Sequence, residues 1–141
     1  MRYNPDAMSA NRVVTAPELG QPVGYAHAVV AAPGQTVYLG GQTALRPDGS
    51  IEGATLVEQF DIAAGNVVAA LRAAGGAPED LVSMQIFVTD VDGYRAATRE
   101  LGPAWRRHFG RHYPAVGLFG VDRLYDAEAL VELMGVAVVP S

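Results

Sequence analysis

The run Leu130-Val131-Glu132-Leu133-Met134-Gly135-Val136-Ala137-Val138-Val139 constrains the fold more than any other segment. Its β-branched content reads as a strand. Successive side chains of a strand point to opposite faces, and this one is apolar at both parities, so it asks for cover on both sides. Glu132 alone breaks the pattern. A carboxylate in apolar surroundings is costly unless paired, and burial raises its pKa. A raised pKa suits a general acid or a water-activating base. A structural carboxylate that meets an arginine across a subunit boundary fits the same pattern.

The rest of the chain supplies too few helices to cover such a strand twice. Arg12 to Ala16 reads as a short strand and Gly20 to Gly24 as a Pro/Gly loop. His27 to Ala32 and Thr36 to Gly41 flank Pro33-Gly34, a hairpin signal. Arg46-Pro47-Asp48-Gly49 is a turn. Thr55-Leu56-Val57-Glu58 is a capping box, and Phe60, Ala64, Val67 and Leu71 continue it as a helical stripe. Gly75-Gly76 and Pro78 end that helix. Leu81 to Thr89 is a strand. Asp92 can cap a second helix running to about Phe109, interrupted near Gly102-Pro103. Val116 to Val121 and Leu130 to Val139 close the series. The expectation is one α+β domain over residues 1–141, a six-stranded mixed sheet with two helices on one face and a flexible or peripheral segment at 1–11. Neighbouring copies around a cyclic axis are the simplest cover for the other face, and sites in such assemblies often lie in clefts between subunits.

Composition removes several functions. There is no cysteine, hence no disulfide, thiolate nucleophile or Cys-based zinc site. All ten basic residues are arginine, so no lysine can form a Schiff base. The net charge of −5, without a basic tract, disfavours nucleic acid as a partner. No run approaches the ~20 apolar residues of a membrane span, and the start does not read as a signal peptide. The expectation is a cytoplasmic protein that does not engage membranes.

Tyr25 and His27 follow the glycine-rich loop, and Gly40-Gly41 ends the expected hairpin; glycine lets backbone approach a ligand at both places. His27 either transfers protons near neutral pH or is a satisfied histidine at a strand start. His108 and His112 have the spacing of helical metal ligands, but Gly110 lies between them and no third ligand is evident, so no metal is expected. Arg106, Arg107 and Arg111 either bind an anion or satisfy helix-terminal carbonyls. Arg123 beside Asp122 reads as a turn ion pair, and Tyr94 and Trp105 as packing. No nucleophile elbow, P-loop or dinucleotide fingerprint is present.

Five segments in order resemble the Rid family of reactive intermediate/imine deaminases (YjgF-like, L-PSP). They are Gly24-Tyr25-Ala26-His27-Ala28-Val29, Val37-Tyr38-Leu39-Gly40-Gly41-Gln42, Leu81 through Asp90, Pro114-Ala115, and Leu130-Val131-Glu132-Leu133. The resemblance implies a chorismate mutase-like homotrimer with small-molecule sites between subunits. It implies cofactor-independent hydrolysis of imines or enamines. In that reading Glu132 activates water or shuttles a proton, with His27 and Tyr25 assisting. Gly40, Gly41, Thr98, Val116 and Leu118 would line the cleft. The family's arginine, which clamps the substrate carboxylate, is replaced by Val116. Valine cannot make a bidentate pair, so this chain resembles a divergent subgroup and not the standard 2-aminoacrylate deaminase. A non-catalytic ligand-binding or protective oligomer is the alternative. Ribonuclease activity, also associated with the family, is disfavoured by the charge.

Overall fold

The long carboxy-terminal strand occupies the interior of the main sheet. In the computed structural model, which describes residues 10–141, β1 is Arg12–Val14, β2 Ala28–Val30, β3 Gly34–Tyr38, β4 Leu81–Val88, β5 Ala115–Gly120 and β6 Val131–Pro140. The main sheet runs β3-β6-β4-β5. β6 is antiparallel to both neighbours, and β5 runs parallel to β4 at one edge. Val131, Leu133 and Ala137 of β6 are fully buried under the helices. Glu132, Met134, Val136 and Val138 alternate onto the opposite face, as a period of two requires.

Helix α1 (Leu56–Ala73) starts where the capping box places it. The Thr55 hydroxyl accepts from the Glu58 N–H at 3.2 Å. The Glu58 carboxylate accepts from Ala54, one residue before the reciprocal position, at 2.8 Å. Phe60, Ala64, Val67 and Leu71 are all buried.

The second helical segment is two helices, α2 (Val91–Ala96) and α3 (Thr98–Phe109). Asp90 caps it and not Asp92: its carboxylate accepts from the Gly93 N–H at 2.9 Å, while Asp92 already lies inside the first turn. The break falls at Ala97 rather than at Gly102-Pro103. Pro103 lies inside α3, as its sixth residue, where it gives up one backbone hydrogen bond; Gly102 before it has no Cβ to clash with the proline ring.

The hairpin expected around Pro33-Gly34 does not form. β2 pairs with β1 as a separate two-stranded ribbon, and β3 pairs with β6. Gly34 is already part of β3, packed so closely on β6 that a Cβ there would stand 3.0 Å from the Val139 carbonyl carbon. The six strands therefore divide into a ribbon and a four-stranded sheet. Of segment 1–11, residues 1–9 lie outside the described residues. Asn11 is tied down: its carboxamide donates to the Val138 carbonyl at 3.0 Å and accepts from the Ala32 N–H at 3.0 Å.

One buried polar side chain holds the approach to β6. Gln59, on the sheet side of α1, donates to the carbonyls of Gly53 (3.1 Å) and Glu128 (3.0 Å) and accepts from Leu130 N–H (2.8 Å). It thereby fixes the residue that precedes β6. Among the described residues no helix covers the opposite sheet face, where Phe87 and Phe119 stack at 5.7 Å and Tyr38, Met134 and Phe119 are exposed.

Replacing Gln59 by alanine removes the partner of two carbonyls and one N–H at part-buried positions. We expect a loss of about 2–3 kcal/mol, read as a lower urea midpoint at unchanged slope.

Candidate functional site

The Gly20–Gly24 loop is carried to the start of β5 by backbone alone. Gly24 takes a positive φ of 78°, which suits glycine. Ala26 then donates to the Pro114 carbonyl at 2.9 Å. This contact sets Tyr25 and His27 beside Val116, and two recesses flank the junction. The larger, about 580 Å3, lies on the open face and is lined by His27, Gln85, Gly117 and Phe119 among others. The smaller, about 420 Å3, lies on the helix side and holds Thr98, Leu118 and several aromatic rings. Tyr25 and Val116 line both.

The helix-side recess has an aromatic wall. Trp105 stacks on Tyr113 at 5.6 Å with an interplanar angle of 5°, and Phe60 lies 6.4 Å from Trp105. Tyr94 meets Phe60 edge-on at 6.5 Å. The indole N–H of Trp105 donates to the His112 carbonyl at 3.1 Å, which fixes the ring. Burial pushes the Tyr94 phenol pKa up, so it stays neutral and able to donate. Thr98 spends its hydroxyl hydrogen on the Arg95 carbonyl at 3.3 Å. Tyr94 and Trp105 do pack, as expected from the sequence, but they also shape this recess. Folding adds Tyr113, which had no sequence signal of its own, and Arg106, one of the three clustered arginines, to it.

His27 is engaged at both ring nitrogens. Nδ1 accepts from the Ala16 N–H at 3.0 Å, and Nε2 meets the Gly20 carbonyl at 2.9 Å. An N–H can only donate and a carbonyl can only accept, so the ring is the neutral Nε2–H tautomer. The proton-transfer role expected for His27 finds no open nitrogen here. The ring instead clamps residues 16–20 to the start of β2.

Glu132 stands apart from both recesses. It lies on the open face, half-buried rather than enclosed, opposite Phe87 of β4. Phe119 of β5 is the next residue in that row. No hydrogen bond or ion pair reaches its carboxylate from the described residues. Gly41 makes room for it: a Cβ there would stand 2.8 Å from the Glu132 carboxyl carbon. Gly40 has open space around it. One chain therefore gathers Tyr25, Thr98, Val116 and Leu118 at one recess and His27 at the other. It leaves Glu132 two strand spacings from β5, roughly 10 Å, with Gly40 and Gly41 on the far side of β6.

The arginine cluster separates in space. Arg107 and His108 of α3 both bind the Asp61 carboxylate of α1, His108 at 2.7 Å. Arg106 points to the helix-side recess. His112 donates to the Leu81 carbonyl at 2.7 Å, so the two histidines serve different partners and share no ligand position. Arg123 binds the carbonyls of Leu124 and Tyr125, each at 3.2 Å, rather than Asp122.

His27→Ala should release the 16–20 segment, with faster amide exchange at Ala16 and a stability loss of about 1–2 kcal/mol. Unchanged exchange at that amide would remove the clamp role.

Comparison with known proteins agrees with this architecture. A family model described as Endoribonuclease L-PSP matches residues 2–139. A 2-iminobutanoate/2-iminopropanoate deaminase of Dermatophagoides farinae is 29% identical over 135 residues, which cover 94% of this chain and 99% of that protein. A shorter stretch of 63 residues is 36% identical to the mitochondrial protein mmf2 of Schizosaccharomyces pombe, 45% of this chain and 49% of that one. A Rid-family protein of unknown function from Yersinia pestis superposes with a TM-score of 0.83 at 26% identity, over 92% of this chain and 98% of the other. A YjgF-family member from Mycobacterium tuberculosis does so at 0.62 and 28%, over 92% and 100%. The chain belongs to the L-PSP family, the Rid/YjgF proteins.

Proposed function

We propose that this protein is a cofactor-independent imine or enamine hydrolase whose sites form between copies of the chain. The observation that carries the reading is the helix-side recess at the start of β5, which is preformed, mostly apolar and supplied with few polar groups. The full-length match to a protein named as an iminobutanoate/iminopropanoate deaminase supports the reaction class. In this reaction water adds to the C=N carbon to give a carbinolamine. The C–N bond then breaks, the carbonyl forms and nitrogen leaves as ammonia. Glu132 takes the proton from the attacking water and returns it to the nitrogen, which is general acid–base work for one carboxylate.

Glu132 and the recess lie on opposite faces of one sheet, so this chemistry requires a second copy. We place the copies in a homotrimer with the open faces turned inward. The exposed Tyr38, Met134 and Phe119 on that face support burial against another subunit. Glu132 of one subunit then serves the cleft of its neighbour. The acidic charge supports a small-molecule ligand over RNA. A second reading, a ligand-binding or protective oligomer without turnover, is favoured by Val116, which offers no charge to a substrate carboxylate.

Light scattering should give three times the 14.8 kDa of one chain; a monomer would remove the shared cleft. With 2-imino acids generated in the cuvette by an amino-acid oxidase, Glu132→Gln should lower kcat by about 10²- to 10⁴-fold. Unchanged turnover in that variant would exclude Glu132 from the chemistry. Binding without turnover in the unaltered protein would select the second reading.

A further inference from the structure

We propose that Arg106 is the anion-recognition group of the helix-side recess, and that the recess takes a carboxylate carried on a flat apolar body. The proposal rests on the reading above only for where a ligand sits, and its test measures binding rather than turnover.

Arg106 is the one charged side chain among the residues lining this recess. Its guanidinium has no carboxylate partner among the described residues, whereas the adjacent Arg107 and His108 share Asp61. The side chain also has a defined course. Helical side chains lean toward the amino terminus, and a Cβ placed on Gly102 would stand 3.3 Å from Arg106 Nη1. The guanidinium thus lies back along α3 over the bare turn at Gly102. That course leads away from the carboxy-terminal carbonyls, so Arg106 does not cap its helix. Gly102 itself lines the recess.

Arg106 is exposed on α3, and its guanidinium lies beside a wall of aromatic rings. It offers a planar fork that matches the two oxygens of a carboxylate, and the apolar wall on one side screens the pair less than water would. The neutral Tyr94 phenol adds an uncharged donor in the same recess. The rest of the wall states what the anion is attached to. Trp105 and Tyr113 lie parallel at 5.6 Å, and Leu118 and Val116 close the sheet side. A three-carbon acid would leave most of about 420 Å3 unfilled. An aromatic or branched apolar body fills it and stacks on the rings.

Trp105 is the only tryptophan of the chain and lies in this wall, so its fluorescence reports occupancy directly. The probes are 3-phenylpropanoate, its neutral isostere 3-phenylpropanamide, and propanoate, titrated into the full-length protein. The acid should bind at least tenfold tighter than the amide, and propanoate more weakly than either. Arg106→Gln should bring the acid down to the affinity of the amide and leave the amide unchanged, with Arg106→Lys between. Equal affinity for acid and amide overturns the proposal. So do a preference that survives Arg106→Gln, propanoate binding as tightly as 3-phenylpropanoate, and no quenching by any probe. A protein that binds the acid through Arg106 but hydrolyses no imine keeps this inference and loses the hydrolase reading. A protein that hydrolyses 2-iminopropanoate but binds the acid and the amide alike keeps the hydrolase reading and loses this inference.

Discussion

β6 must be paired along both edges and covered on both faces, and the other elements are arranged around that demand. Its edges are met by β3 and β4. Its helix-side face is met by α1 and α3, with Phe60, Leu71, Trp105 and Phe109 buried beneath them. Among the described residues nothing meets the demand of its other face, where Met134 stays exposed beside Glu132. The fold is complete as a core and incomplete as a surface. The same strand holds the candidate base, so whatever covers β6 also determines what Glu132 can reach.

Periodicity made the core legible. The stripe Phe60, Ala64, Val67, Leu71 and the two-faced strand at Leu130–Val139 each follow from side-chain geometry that neighbours cannot override. Pairing was less legible. Pro33-Gly34 carries a turn signal, yet Gly34 serves the β3–β6 contact, because a bare backbone was needed against Val139. That need arises about one hundred residues away in sequence, and no local pattern encodes it. Asp90 and Asp92 compete for one helix start in the same way. Both can cap, and the exit direction of β4 decides between them.

The candidate site was legible as a set of residue types but not as one place. Tyr25, Thr98, Val116 and Leu118 converge because a single backbone bond, Ala26 to Pro114, brings a loop to the β5 edge. His27 shares that loop but uses both nitrogens to hold it. A titratable residue in the right segment thus serves the scaffold. Arg106 was legible only as one of three clustered arginines, and the fold alone separates it from Arg107; Tyr113 escaped notice because its contribution depends on the chain reversing at Gly110, whose φ is 62°. That reversal lays Tyr113 flat on Trp105.

Valine at position 116 limits what the junction can bind. Val116 lines both recesses, so an uncharged side chain there leaves the boundary between them apolar. A charge at that position would be solvated by either recess and would pull water into both. With the positive group on α3 instead, the guanidinium stands at one end of an aromatic wall and the strand edge carries no charge. If Arg106 holds a carboxylate as proposed, the distance between charge and sheet becomes a selector for length: a ligand must span from Arg106 to the β5 edge to satisfy both ends, and short acids satisfy only one. The course of Arg106 is set by the helical turn it shares with Gly102 and not by the twist of the sheet, so the ligand preference of this recess is decoupled from the strand on which the fold depends.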